Sequence, residues 1–249
     1  GLSVLYPLPS LAQLLFTAAG WTAARMNDVL SLLAALPGTQ VGMPDAPVWV
    51  SCAACVGVAL LLMPRGTPHR YLGWLVLVPL ATWSPAHPET GTVWFTLLDV
   101  GQGLAAVVQT REHTLVFDAG PRFSADFDTG DAVVAPFLSA HGIRRLDTLI
   151  ISHGDNDHRG GAASLDARLP AFHVLTSVPA RIDWRYATRC AAGQNWDWDG
   201  VRFKVLHPDA DRRIEDNDSS CVLQIEAANG DRLLIPGDIE AAAEQQLVS

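Results

Sequence analysis

The sequence predicts an α/β domain of layered strands and helices, preceded by apolar helices that associate with a membrane. Residues 1–89 carry only three basic and three acidic side chains among mostly apolar residues. The whole net charge of −9 therefore falls on residues 90–249, where short β-branched and aromatic runs alternate with helical segments. Such a shift in composition is typical of a membrane segment followed by a soluble domain. Alternating strands and helices are typical of an α/β fold with a mixed sheet.

Residues 1–83 are predicted to form the membrane helices. Residues 11–36 are apolar with a few polar side chains on one face, which is typical of an interfacial or bundle-packed helix. Residues 48–63 contain no charge, and their length falls just short of the roughly 17–25 residues of a spanning helix. Residues 71–83 form a shorter apolar run with aromatic residues at both ends. The alternative is a pair of buried core helices in a soluble protein.

The turn between the two apolar runs predicts the orientation of the chain. It carries Arg65 and Arg70, and short arginine-rich loops stay on the cytoplasmic side of a membrane. The chain after Trp83 is then extracytoplasmic. In that compartment a disulfide between Cys190 and Cys221 is permitted.

Residues 84–90 are predicted to be a linker, and residues 91–249 the soluble domain. Strands are predicted over residues 92–98, 104–110, 114–117, 146–152, 172–177 and 201–206. A hairpin of residues 220–227 and 232–235 is predicted around Asn229-Gly230, a strong turn signal. Helices are predicted over residues 131–140, about 160–168 and 239–248, whereas residues 181–200 are predicted to be irregular.

A loop rich in metal-ligand side chains follows the strand at residues 146–152. It contains His153, Asp155, Asp157 and His158. His153 and Asp155 are two residues apart, so in an extended loop their side chains point to the same side. Asp157 and His158 would then point to a second side. Two ligand pairs can hold two divalent ions, which activate a water and stabilise a leaving oxygen. The alternative is a solvated acidic loop in which Asp157 caps the next helix.

Two further carboxylates follow predicted strands. Asp238 is the candidate that bridges both ions, and Asp118 is a candidate ligand or a partner behind the ligands. Each is alternatively a simple turn residue. One carboxylate per histidine favours manganese or magnesium, with zinc left open. A calcium loop would need a run of oxygen ligands ending in Glu, which does not follow.

The charge of the soluble part does not fit a generic nucleic-acid binder, which would be basic. An acidic cluster that holds divalent ions is an exception, because the ions reverse the local field. Six arginines could form a phosphate-contacting face or be scattered solvated charges. They are Arg181, Arg185, Arg189, Arg202, Arg212 and Arg213. Three tryptophans, Trp184, Trp196 and Trp198, could stack on bases or pack in the core.

Several of these segments together resemble a known family. The loop is similar to the His-x-His-x-Asp-His signature of the metallo-β-lactamase superfamily, with Asp155 in place of the second histidine. The match narrows to the C-terminal domain of the ComEC competence proteins, which are polytopic membrane proteins of DNA uptake. The segments that carry it are Leu98-Asp99-Val100-Gly101-Gln102-Gly103, Val116-Phe117-Asp118-Ala119-Gly120, Ser152-His153-Gly154-Asp155-Asn156-Asp157-His158 and Ile235-Pro236-Gly237-Asp238-Ile239-Glu240.

The resemblance implies a four-layer αββα fold outside the cytoplasmic membrane, with residues 1–83 as the end of a transmembrane competence domain. It implies that the metal ligands are His153, Asp155, Asp157, His158 and Asp238, with Asp99 and Asp118 near the site. Many relatives have Asp where this chain has Leu104. The family pattern also continues to a His-His-Gly-Ser segment that does not occur before Ser249, so the domain is expected to be incomplete at its C-terminus. The last histidine, His207, is a weak candidate for the missing ligand.

The function implied by the resemblance is passage of single-stranded DNA through the inner membrane, together with other DNA-uptake components. The soluble domain would be a metal-dependent nuclease that degrades the strand not imported, with Asp155 and Asp157 as candidate catalytic residues. One alternative is a non-catalytic transport module whose metal loop is structural. Another is a hydrolase of the same superfamily with a different substrate, fused to a membrane anchor.

Overall fold

The computed structural model describes residues 7–34, 36, 44–179, 187–209 and 217–248. The chain forms two compact units, Gly1–Gly42 and Met43–Ser249. The first unit contains helix α1 (Pro7–Ala34), which matches the helix predicted over residues 11–36. Its side chains from Leu11 onward are exposed, including Leu14, Phe16 and Trp21.

The second unit begins with a helical hairpin of α2 (Val48–Leu62) and α3 (Leu72–Thr82). The two helices meet at Gly57 and Gly73, where a Cβ on Gly57 would lie 2.9 Å from the Gly73 carbonyl oxygen. Small residues of this kind let helix backbones approach closely. Within the described residues, no helix combines the length and the apolar character needed to cross a bilayer. The membrane location of residues 1–83 therefore stays a prediction.

A six-stranded sheet forms the first half of the domain, and its strands lie side by side in chain order. The first three pair antiparallel and the last three continue parallel from β3. Three helices and one π-helical turn (Gly130–Val134) connect the parallel strands. The strands are β1 (Trp94–Leu97), β2 (Ala106–Gln109), β3 (Thr114–Phe117), β4 (Leu146–Ile151), β5 (Ala171–Thr176) and β6 (Ala187–Arg189). The helices are α4 (Ala135–Ala140), α5 (Asn156–Arg159) and α6 (Ala162–Arg168).

An antiparallel four-stranded sheet forms the second half, in the order β10-β9-β8-β7. Its strands are β7 (Asn195–Trp198), β8 (Val201–His207), β9 (Val222–Glu226) and β10 (Arg232–Ile235), and helix α7 (Ala241–Leu247) follows. The predicted hairpin is present as β9 and β10, and Gly230 takes a positive φ of 88° in its turn. The prediction that residues 181–200 are irregular is wrong for β6 and β7; residues 180–186 lie outside the described residues. In β7, Trp196 and Trp198 alternate with polar residues and pack against the core, which overrides the low strand propensity of Asn and Asp.

The layers follow from the alternation of side chains along the strands. One face of the first sheet packs on the second sheet through residues such as Phe117, Ile150 and Phe203. The other face packs on the helices through residues such as Leu149 and Leu165. Helices α4 and α6, the first sheet and the second sheet thus form three successive layers, and the predicted α/β fold with mixed pairing is confirmed. The second helical layer of the four-layer αββα arrangement that the resemblance implies stays a prediction.

A disulfide and the hydrogen bonds of Asp199 link the two sheets at opposite ends of their strands. Cys190, directly after β6, and Cys221, directly before β9, form a disulfide with their Cα atoms 6.0 Å apart, which is within the usual range. Both cysteines are buried. At the opposite end of the strands, Asp199 in the β7–β8 turn accepts hydrogen bonds from Thr110 Oγ1 (2.7 Å) and the backbone N–H of Glu112 (2.8 Å). These bonds join the β7–β8 turn to the β2–β3 turn.

Candidate metal centre

The candidate site lies where strands from both sheets end. The ligand loop leaves β4, and Asp118 leaves the neighbouring parallel strand β3, so both lie at the same edge of the first sheet. Asp238 comes from the second sheet, just after β10. Gly237 permits this approach, because a Cβ there would lie 2.9 Å from the Ser220 Cβ and 3.1 Å from the Ser152 Cβ. The topology therefore brings together residues from three separate segments.

Asp118 organises the floor of the site. It is fully buried, and it takes the left-handed φ of 57° that is uncommon for a residue other than glycine. Its carboxylate accepts hydrogen bonds from the Ser152 N–H (2.7 Å), the Ser152 hydroxyl (2.7 Å) and Nδ1 of His158 (2.8 Å). Asp118 therefore holds His158 through its Nδ1 atom. Its carboxylate does not belong to the cluster of possible metal-ligand atoms, which come from His153, His158 and Asp238.

Two buried imidazoles face one point. The Nδ1 atom of His153 lies 3.0 Å from the Ser152 hydroxyl and 3.3 Å from the Ser220 hydroxyl. The Nε2 atoms of His153 and His158 are buried and have no hydrogen-bond partner among the residues that the structure describes. Their ligand atoms and that of Asp238 all lie within 4.8 Å of one another. Although Asp238 Oδ2 is 3.1 Å from His158 Nε2, the geometry is not that of a hydrogen bond.

These three residues fit a divalent ion. Buried polar atoms in native proteins nearly always have a partner, so two orphaned imidazole nitrogens beside one carboxylate call for an explanation. Imidazole and carboxylate together form a donor set for zinc, manganese and related metals. A metal ion at this point would satisfy both nitrogens.

The two acidic residues of the loop lie close to the same histidines. Asp155 Oδ2 is 3.6 Å from His153 Nε2, and Asp157 Oδ2 is 4.0 Å from His158 Nε2. The two ligand pairs inferred from the sequence are thus each brought together. Asp157 lies inside α5, and no side chain caps this helix, so the helix-cap alternative does not describe it. Asp155 and Asp157 are 53% and 33% exposed and line the open side of the site.

The electrostatic field of the site is strongly negative. Burial lowers the pKa of His158, but the hydrogen bond and charge of Asp118, with the charges of Asp238 and Asp157, outweigh it and raise this pKa to about 9. Three carboxylates thus act on one imidazole. The same field attracts a cation into the site.

The backbone of the ligand loop is fixed by its neighbours. The N–H of Leu104 donates to the Asp157 carbonyl (3.2 Å), and the N–H of Ala119 donates to the His158 carbonyl (2.8 Å). Gly103 makes this approach sterically feasible, because a Cβ there would overlap the Asp157 carbonyl. The Asp99-Val100-Gly101-Gln102-Gly103 turn therefore supports the ligands by packing. Asp99 is exposed and its side chain accepts from the N–H of Gly101 (3.1 Å), which fixes the turn itself.

Two serines that the sequence does not mark as functional, Ser152 and Ser220, lie beside the clustered residues. Ser220 contacts His153 and lies 3.3 Å from the N–H of Asp238, so it links two of the clustered residues. The sequence signal for Ser220 is the polar segment directly before β9. Its partners His153 and Asp238 lie in other segments of the chain, so the signal alone does not identify the contact. The weak candidate His207 is buried, and its Nε2 lies 2.7 Å from the Asp218 carbonyl, a bond that occupies this nitrogen without a metal.

The residues proposed for nucleic-acid contacts are only partly described. Trp196 stacks on Phe203 with ring centroids 5.2 Å apart, and Trp198 stacks on His113 at 4.9 Å. One face of each indole ring is therefore covered by protein. Among the arginines, Arg202 pairs with Asp197. Trp184, Arg181, Arg185, Arg212 and Arg213 lie outside the described residues.

Comparison with known families gives two matches along the chain. The model of the metallo-beta-lactamase superfamily matches residues 98–249. The model of the family described as "Competence protein" matches residues 1–68. The two matches cover the two parts that composition distinguishes.

Individual relatives agree with these matches. The "Competence protein ComA" of Neisseria gonorrhoeae is 36% identical over 209 residues, which is 84% of this chain and 29% of that protein. The "Recombination protein 2" of Haemophilus influenzae is 34% identical over 148 residues, which is 59% of this chain and 18% of that protein. The chain thus spans less than a third of the length of either relative. A solved metallo-β-lactamase of Cronobacter sakazakii is 18% identical, with 62% of this chain and 63% of that chain covered and a TM-score of 0.41.

Proposed function

Because this chain belongs to the metallo-β-lactamase superfamily and its resemblance to the ComEC competence proteins is confirmed, we propose that its soluble domain is a metal-dependent DNA phosphodiesterase. It would act during DNA uptake on the strand that is not imported. The observation that carries the proposal is the pair of buried, unpartnered Nε2 atoms of His153 and His158 beside Asp238.

The cluster of His153, His158 and Asp238 fits one ion, and we extend the proposal to a second ion. Asp155 lies beside His153 and Asp157 beside His158, so these two carboxylates would complete the donor sets of the two ions, with Asp238 as the carboxylate shared between them. Divalent ions held there would supply Lewis acidity toward a phosphodiester and toward water. The three carboxylates favour a hard ion such as manganese or magnesium, with zinc as the alternative.

The buried network sets the tautomers of both histidines. A carboxylate only accepts, so the Ser152 hydroxyl and the Nδ1–H of His158 both donate to Asp118. With its proton committed to Asp118, the Ser152 oxygen accepts from the Nδ1–H of His153. In the neutral form that binds a metal, both imidazoles would therefore carry their proton on Nδ1 and direct a free Nε2 lone pair into the site. A carboxylate behind a ligating histidine fixes ring orientation and raises ligand basicity in this way.

The open side of the site is suited to proton transfer. Asp155, with its side chain half exposed and 3.6 Å from His153, can accept a proton from an attacking water. Asp157 lies on the other side of the cluster beside His158. These two residues are the proposed catalytic carboxylates.

A test of activity uses the full chain with Mn²⁺ and labelled DNA, single-stranded and duplex. We expect cleavage that Asp157→Ala abolishes. The matched control is Asp197→Asn, which changes an exposed carboxylate on β7. Metal binding without any cleavage would instead support a non-catalytic transport module. Cleavage of a small ester or thioester but not of DNA would support a different hydrolase of the superfamily.

For location, we propose that the N-terminal helices lie in the inner membrane and that the domain is extracytoplasmic, where it would meet the other DNA-uptake components. Support comes from the arginine-bearing turn at Arg65 and Arg70 and from the buried Cys190–Cys221 disulfide, since disulfides persist in oxidising compartments. The test is a reporter fused after Ser84. Activity of that reporter only in the cytoplasm would contradict the proposed orientation.

A further inference from the structure

An exposed pair of phenylalanines stands on the loop between β3 and the π-helical turn. Phe123 and Phe127 are 59% and 53% exposed, and their rings stack with centroids 5.6 Å apart and planes 25° from parallel. The loop is a tight reversal in which the N–H of Phe123 donates to the Phe127 carbonyl (3.0 Å), and Arg122 pairs with Asp128. The backbone thus presents both rings to solvent in a fixed arrangement.

This loop is fastened to the ligand loop of the metal centre. The side chain of Asn156 donates to the Arg122 carbonyl (3.0 Å) and accepts from the Arg122 N–H (3.4 Å). Asn156 lies between Asp155 and Asp157, the two carboxylates on the open side of the site. Gly160, at the end of α5, leaves no room for a Cβ because the Arg122 backbone N–H lies against it. The stacked rings are therefore anchored beside the metal ligands.

Positive charge accompanies the rings at this position. The Arg122 guanidinium is 46% exposed, and its nearest carboxylate oxygen, on Asp128, is 3.5 Å away. Arg159, at the end of α5, donates from Nε to the Gly154 carbonyl (2.6 Å), so it too lies against the ligand loop. Two arginines thus lie beside the candidate site, and the loop that carries Arg122 also carries Asp126 and Asp128. Flat apolar rings next to guanidinium groups match the base and the phosphate of a nucleotide.

We propose that the Phe123–Phe127 pair is a stacking platform for an unpaired nucleobase, with Arg122 beside the neighbouring phosphate. This inference rests on the proposed function and narrows its substrate class to a single strand or a frayed end, because bases inside a duplex stack on one another. The platform positions the strand, so its role is in binding and the chemistry remains with the metal centre.

The test measures binding of the full chain to a short labelled single strand and to an abasic strand of the same length, with Ca²⁺ in place of Mn²⁺ so that the site holds divalent ions while cleavage is suppressed. Base–aromatic stacking contributes about 1–3 kcal/mol per base, so Phe123→Ala/Phe127→Ala should weaken binding of the base-containing strand about fivefold or more. Binding of the abasic strand should not change. The control Phe172→Ala removes an equally exposed phenyl ring, which lies 64% exposed near the opposite end of the strands.

A second variant, Phe123→Leu/Phe127→Leu, keeps apolar bulk but removes the flat rings, and it should lose the same discrimination. Equal weakening for both strands, or none for either, would overturn the proposal. The proposal would also be overturned if the double variants bound DNA like the parent protein but no longer bound lipid vesicles. That result would assign the two rings to a membrane. Because the readout is binding, it is separate from cleavage: a protein that discriminates bases but never cleaves would contradict only the proposed function.

Discussion

At the residue scale, the hydroxyl of Ser152 lies at the centre of three buried side chains of the candidate site, Asp118, His153 and His158. It donates to Asp118, accepts from His153 and lies 3.4 Å from Nδ1 of His158. Without it, the Nδ1 proton of His153 would depend on the Ser220 hydroxyl at 3.3 Å. The orientation of one imidazole therefore depends on a residue that is not itself a ligand.

Ser152→Ala should lower the affinity for Mn²⁺ about 10–100-fold, the range seen when a partner behind a metal ligand is removed. It should also destabilise the fold by about 1–3 kcal/mol, because Asp118 loses a buried hydrogen bond. Isothermal titration with Mn²⁺ measures the first effect and urea unfolding the second. Ser124→Ala, in an exposed loop, is the control. Unchanged Mn²⁺ affinity in Ser152→Ala would contradict the tautomer argument.

The ligand types of the site, and Asp118 as a candidate partner behind them, could be predicted from sequence, but the contacts of the two serines could not. His153, Asp155, Asp157 and His158 are adjacent in sequence and carry an obvious chemical signal. Ser152 and Ser220 are 68 residues apart in chain position, and serine has no metal-binding signature. Their role arises only when β9 comes beside β4 through the Cys221 N–H, which donates to the Ser152 carbonyl (2.9 Å).

At the element scale, the turn between β1 and β2 supports the ligand loop through a glycine. Gly103 has a φ of 109° and its Cα packs directly on the Asp157 backbone. Gly101 in the same turn also has a positive φ, 77°, but nothing lies within 4 Å of its hypothetical Cβ. Comparing alanine substitutions at the two glycines therefore distinguishes the cost of a positive φ from the cost of a steric overlap.

Gly103→Ala should reduce Mn²⁺ binding and stability more than Gly101→Ala does. Both substitutions add strain of about 1–3 kcal/mol for a positive φ. Only the first also pushes the Asp157 carbonyl away from the Leu104 N–H, which moves a proposed ligand. Thermal unfolding and Mn²⁺ titration of the two variants measure the difference. Equal effects of the two variants would show that the close approach does not matter.

The side chain of Asp199 joins the β7–β8 turn to the β2–β3 turn through hydrogen bonds. Burial raises the pKa of this carboxyl, but hydrogen bonds from Thr110, the Glu112 backbone and His113 outweigh it and lower the pKa below its usual value. A lowered folded-state pKa stabilises the fold above the unfolded-state pKa. That stabilisation is lost as the pH falls through the folded-state value.

Asp199→Asn should therefore cost about 1–3 kcal/mol at pH 7, because hydrogen bonds to a charged acceptor become weaker or are lost. The difference from the parent protein should shrink as the pH falls below about 4, where the unfolded Asp side chain takes up its proton. Urea unfolding at pH 7 and at pH 3 measures it. Asp197→Asn, an exposed neighbour on β7, should show neither effect. A cost that is the same at both pH values would contradict the ionic explanation.

Most elements could be predicted from alternation and turn signals, and the exceptions have a physical reason. The strands β3 and β4 read as continuous apolar runs because both faces are buried. Strand β7 was missed because Asn195 and Asp197 suggest a loop, and only tertiary packing of its two tryptophans makes it a strand. The short helix α5 was missed because its four residues are too few for a helical period.

At the scale of the whole molecule, the Cys190–Cys221 disulfide links the two sheets close to the metal centre. It closes a loop with a sequence separation of 31 residues. In the chain-entropy model a loop of this length stabilises the fold by roughly 3–4 kcal/mol. Cys221 directly follows Ser220, so the bond also holds one side of His153.

Cys190→Ala/Cys221→Ala should destabilise the domain by a few kcal/mol, and the parent protein should lose a similar amount when dithiothreitol is added. Urea unfolding with and without reductant measures both effects. The control Cys52→Ala/Cys55→Ala changes the two free, exposed cysteines of α2 and should have no reductant-dependent effect. If reductant leaves the stability of the parent protein unchanged, the disulfide does not support the fold.

The most direct test of the central claim is Mn²⁺ binding to the full chain, followed by electron paramagnetic resonance. His158→Gln removes one of the two unpartnered Nε2 atoms, while His207→Gln changes another buried histidine whose Nε2 is occupied by the Asp218 carbonyl. We expect saturable binding in the parent protein and in His207→Gln, and loss of that binding in His158→Gln. Equal binding by the parent protein and His158→Gln would contradict it.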